Sequence, residues 1–167
     1  SFTGSYSAPS NLDTTSVRAD HSFNDRFKVF GRFSYSPSSN TTRQTPNLAN
    51  VSSVTVNVKT LTIGATNIIS ARASNDFRFN TSWNDSFGRF TPDDFGGATP
   101  FQMSDIPGLS DPNANLFFYL NFGLRPVLRI IPRDIYQKQF NITDSVSVSL
   151  GRHTLKMGID WRRIGNN

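Results

Sequence analysis

His21 and His153 are the two histidines of the chain, and a search for acid–base or nucleophilic chemistry starts with them. Ser and Asp are abundant, and His21 directly follows Asp20, so a Ser–His–Asp set can be written on paper. A triad is defined by geometry and role, and adjacency in sequence supplies neither. His21 falls in an alternating stretch and His153 beside a Gly-Arg pair, so both are expected to be strand and turn residues. Asp93, Asp94, Asp105 and Asp111, with Gly96, Gly97 and Gly108 nearby, offer the oxygen-rich loop that calcium favours. The EF-hand spacing is missing, and ordinary solvated loop chemistry is the expectation. Cysteine is absent, which excludes disulfides, thiolate nucleophiles and Cys-based metal sites. No catalytic residue, cofactor or metal site is assigned, and the chain is expected not to be an enzyme.

Recognition is the other chemistry to consider. The most apolar run is "NLFFYLNFGL" at 115–124. Its Phe117, Phe118 and Tyr119 have the faces to stack on a flat or sugar-like solute. The same residues would equally well pack a loop against its neighbours or fold into an interior. The net charge is +5, which raises nucleic acid as a partner. Lys and Arg are scattered singly, however, and binding to nucleic acid needs a concentrated basic patch. No nucleic-acid partner is expected.

These residues must be held by something, and the pattern is of period two. Six extended segments read out, at about 14–23, 26–36, 55–67, 76–84, 135–150 and 153–164. In the last, Leu155, Met157, Ile159 and Trp161 alternate with Thr154, Lys156, Gly158, Asp160 and Arg162. In the second, Phe27, Val29, Phe33 and Tyr35 oppose Arg26, Lys28 and Arg32, with Phe30 the exception. Phe77, Phe79 and Trp83 oppose Arg78, Asn80, Ser82 and Asn84. Asp144 interrupts an otherwise apolar face. Asn24-Asp25, the stretch "IISARASN" and Gly151-Arg152 read as short turns; 37–54 and 85–134 read as long loops.

Short and long connections therefore alternate, as at the two rims of a transmembrane β-barrel. Polar faces rich in Thr, Ser, Asn and Arg suit a wet lumen. Aromatics near strand ends (Phe23, Tyr35, Trp83, Tyr136, Trp161) suit interfacial girdles. The competing architecture is a soluble, secreted β-sandwich that binds carbohydrate or mediates adhesion, since it too alternates. Long structureless loops and strands of ten residues count against it. No stretch of about 20 apolar residues is present to form a transmembrane helix. The predicted fold is all-β: an antiparallel, up-and-down transmembrane β-barrel segment of about six strands. Six strands are too few to close a barrel. Residues 1–167 are therefore expected to be part of one barrel domain. Arg32, Arg78, Lys156 and Arg162 fall on the polar faces, where lumen charges would tune the field.

Three stretches then carry a resemblance. "YQKQFNITDSVSVSLGRHTLKMGIDWRRI" resembles a hairpin of large TonB-dependent outer-membrane receptors, particularly the Oar-like group. There a strand with Y-Q leads to a turn like G-x-H and a strand like H-x-L-K-x-G-x-[DE]-x-R. Tyr136, Gln137, Gly151, His153, Leu155, Lys156, Gly158, Asp160 and Arg162 stand at those positions. "VRADHSFNDRFKVFGRFSYS" is similar to a second hairpin through Arg18, Asp20, His21, Phe23, Asp25 and Arg32. "IISARASNDFRFNTSWN" is similar to a third through Asn75, Asp76, Phe77 and Arg78. The resemblance implies a bacterial outer-membrane location and active uptake of a large solute. It implies outer-membrane lipid, the rest of the barrel, a plug and the TonB complex as partners. The family's plug domain and energy-coupling box are not among these residues. A passive outer-membrane channel is the further alternative.

Overall fold

The computed structural model describes residues 4–44, 48–100, 107, 116–118, 128–130 and 133–166; 116–118 and 128–130 are described by backbone alone. The strands are β1 (Ser10–Leu12), β2 (Thr15–Ser22), β3 (Phe27–Arg43), β4 (Asn50–Ser70), β5 (Ala73–Pro92), β6 (Leu116–Phe118), β7 (Leu128–Ile130), β8 (Arg133–Leu150) and β9 (His153–Asn166). A short 3₁₀ turn lies at Phe95–Gly97. The protein is all-β and antiparallel, as predicted. One sheet has seven strands in the order β1-β3-β4-β5-β8-β9, with β2 also on β3; β6 and β7 form a separate pair.

The main sheet agrees with the expectation of about six strands, since β1 and β2 both pair β3; the strand lengths and the predicted long loops are what differ. The stretch 37–54, read as a long loop, is mostly strand, because β3 runs on to Arg43 and β4 begins at Asn50. These extensions lack apolar alternation and are held by hydroxyls instead. Thr41 and Ser53 share a hydrogen bond of 3.2 Å, and the Ser38 hydroxyl donates to the Val56 carbonyl at 3.4 Å. β-Branched Thr suits such a pleated surface even when both faces are polar. Likewise β5 continues to Pro92 inside the second predicted loop.

Two of the short turns form as predicted. β4 and β5 are joined by Ala71-Arg72, and β8 and β9 by Gly151-Arg152. Gly151 has φ +64, which a side chain would strain, so glycine suits this position. The first turn is wider than the expected Asn24-Asp25 pair. The Asn24 side-chain oxygen accepts from the N–H groups of Arg26 and Phe27, both at 2.8 Å, and Phe23 N–H donates to the Phe27 carbonyl. An Asn that caps two amides in this way opens the turn.

The chain divides into two compact units. One comprises 13–37, 57–85 and 135–167; the other comprises 1–12, 38–56 and 86–134. In the first, register separates the faces. Val148, Val146 and Ile142 stand opposite Leu155, Met157 and Trp161. The rings of Phe79 and Phe140 lie 6.5 Å apart on that same face. Among the described residues no hydrophobic side chain is buried; Val17, Met157 and Ile159 are each more than two-thirds exposed. The soluble sandwich requires this face to be covered. Among the described residues nothing covers it, which leaves an apolar surface that water alone does not stabilise.

Candidate functional site

The opposite face of the same strands is polar, and strand alternation puts Arg32, Arg78, Lys156 and Arg162 on it. Arg32 stands across from Arg18, Lys156 from Ser147, and Arg162 from Asn141. Arg78 sits between Phe77 and Phe79 in β5 and so points with Asn80, whose amide donates to Thr62 at 2.8 Å. All four are exposed. The Arg32 guanidinium reaches Ser16 at 3.5 Å. Among the described residues none of the four forms an ion pair. The strands thus bring four cations onto one polar surface that also carries carboxylates with hydroxyl and amide partners: Thr66 donates to Asp76 at 2.7 Å, and Asn141 to Asp160. Such a surface can orient an anionic or polyhydroxylated solute, or pair with carboxylates of another domain.

Phe30, the exception on this face, is explained by its neighbours. Its ring lies across Gly64, where any Cβ would overlap it. The Arg18 guanidinium sits 4.1 Å from its centroid, held by a bidentate pair with Asp20 at 2.7 and 2.8 Å.

The predicted aromatic patch is only partly placed. Phe117 and Phe118 lie in β6, across from Arg129 and Leu128 of β7. Tyr119 lies outside the described residues. Asp105 and Asp111 also lie outside them. Asp93 has another occupation than calcium. Arg43 grips it as a fork, with Nη1 donating to Oδ1 at 2.8 Å and Nη2 lying 2.6 Å from Oδ2. Arg43 also donates to the Leu48 carbonyl at 2.8 Å and lies 4.2 Å from the Phe95 ring, which Tyr6 meets edge-on at 6.0 Å. The Arg43 hydrogen bonds, opposed by desolvation and aided by the Phe95 N–H, hold the Asp93 carboxyl below the usual range. Reading along the chain missed this hub, because its members lie on separate segments. Among the described residues no group of three or more His or acidic side chains gathers as a metal site would require. His21 meets the edge of Phe23 at 4.5 Å, and His153 stands across from Leu150 beside the turn.

Compared with known proteins, residues 1–167 match the family model of an outer membrane beta barrel domain. No curated protein and no solved structure matches the chain.

Proposed function

This chain belongs to the outer membrane beta barrel domain family, and from that premise we propose that it forms wall strands of a TonB-dependent, Oar-like receptor for a large solute. Its location is the bacterial outer membrane. The solute would be of siderophore, oligosaccharide or peptide class. The observation that carries this reading is the set of Arg32, Arg78, Lys156 and Arg162 on one polar face, behind an exposed apolar one. The three hairpins that resemble the receptor group supply its finer detail. The wall captures and guides; it breaks no covalent bond. Displacement of a plug and coupling to the TonB complex would fall to regions beyond these residues.

Charge reversal tests the reading. Arg78→Glu with Arg162→Glu is expected to change solute uptake by whole cells, or the retention of the plug, measurably against wild type. No change in either would sink it. A passive channel would instead give steady ion conductance in a planar bilayer, where a plugged receptor stays closed.

A further inference from the structure

The apolar face of β8 runs from Leu150, at the short turn, up to Phe140, and then changes character at Lys138 and Tyr136. At about 3.3 Å per residue that apolar run is roughly 33 Å long, and at a tilt near 40° it rises roughly 25 Å, the height of a barrel's apolar band. Lys138 and its surroundings therefore sit just past the band, at the rim away from the short turns.

Here the outward face is neither apolar nor neutral. Trp83, Phe140, Lys138 and Arg163, with Tyr136 and Asp85, line a depression of about 540 Å³. Lys138 Nζ lies 4.9 Å from the Phe140 centroid and 5.7 Å from that of Trp83. Arg163 stands across from Phe140. Both cations are exposed and, among the described residues, neither forms an ion pair. Asp85 is the carboxylate of the depression, and it also lines a neighbouring one with Lys59, so cations outnumber it locally. A pair of cations on a lipid-facing surface, over an aromatic floor and at headgroup height, is complementary to phosphate carried on acyl chains.

We propose that this depression binds the phosphorylated headgroup of an outer-leaflet lipid, with Lys138 and Arg163 on the phosphate and Trp83 and Phe140 beneath the headgroup's carbon skeleton. The proposal rests on the wall's place in the outer membrane and not on solute uptake, so loss of the transport reading leaves it standing.

The test is native mass spectrometry of the complete outer-membrane protein in detergent, with dimyristoylphosphatidic acid, dimyristoylglycerol and inorganic phosphate as probes. Wild type is expected to retain phosphatidic acid at least about tenfold better than the diacylglycerol, and millimolar phosphate should not displace it. Lys138→Gln with Arg163→Gln should lose that preference; the charge-conserving Lys138→Arg with Arg163→Lys should keep most of it, as should Lys28→Gln on the polar face. Equal retention of the two lipids, displacement by free phosphate, or undiminished preference in the neutralised variant would each overturn the proposal. So would loss of binding in the charge-conserving pair when that variant still runs as a folded, heat-modifiable barrel.

Discussion

Asp144 is a carboxylate on the apolar face, across the ladder from Ile159. A charge facing lipid is expensive, and one with a hydrogen-bond donor is less so. Asn75 provides that donor, its amide reaching Asp144 Oδ1 at 2.6 Å and the Ser145 carbonyl at 3.2 Å. Asn75→Leu should therefore lower unfolding stability by about 1–3 kcal/mol, read from urea unfolding in vesicles. An unchanged midpoint would show that the carboxylate finds solvation elsewhere. A second residue-scale consequence concerns Asp93, which lies beyond the apolar stretch. Its pKa is lowered in the folded state, first by Arg43. Its contribution is thus full above the ordinary aspartate value near 4 and is lost as pH falls through the lower folded value. Pepsin cleavage near the Leu48–Ala49 turn is expected to rise steeply only under those acid conditions. Asp93→Asn should cleave readily at pH 4 and above, where wild type resists, and flatten the profile.

Between strands, the tightest demand falls on β3 and β4, where the Phe30 ring covers Gly64. Gly64→Val would force the ring off both Gly64 and the Arg18 guanidinium, at a cost of about 1–3 kcal/mol. Phe30→Ala in the same background should recover most of it; additive losses in this double-mutant cycle would argue against the contact. That contact was visible in the sequence only as an irregularity, a Phe on a polar face. What alternation did reveal was every strand with one apolar and one polar side, which is why the parity of Arg32, Arg78, Lys156 and Arg162 could be read directly. It failed where both sides are polar. The extensions of β3 and β4 are held by Thr41, Ser53 and Ser38, whose hydroxyls carry no period-two signal. The Gly151 turn was legible because glycine takes positive φ at little cost. The turn at Asn24 was not, since its width depends on one side-chain oxygen. The Arg43–Asp93 fork joins the ends of two different strands, and residue types alone cannot pair positions so far apart.

On the proposed barrel wall the apolar face of the alternating strands would meet lipid and the polar face water, so there the effect of a charge should depend on parity. Ile159→Arg, near the middle of the apolar stretch, should cost about 2–4 kcal/mol and reduce membrane insertion. Ser145→Arg, at similar depth on the polar face, should leave both nearly unchanged. Equal effects would mean the faces are misassigned. The strand order carries a different consequence. Neighbours in the main sheet follow chain order except at β1 and β3, where β2 pairs the same strand, and at β5 and β8, where β6 and β7 intervene as a pair of their own. Lengthening such a connection adds only about 0.6 kcal/mol of closure cost per doubling. The length of the connection over 93–132 can therefore change at little cost to the pairing of β5 with β8.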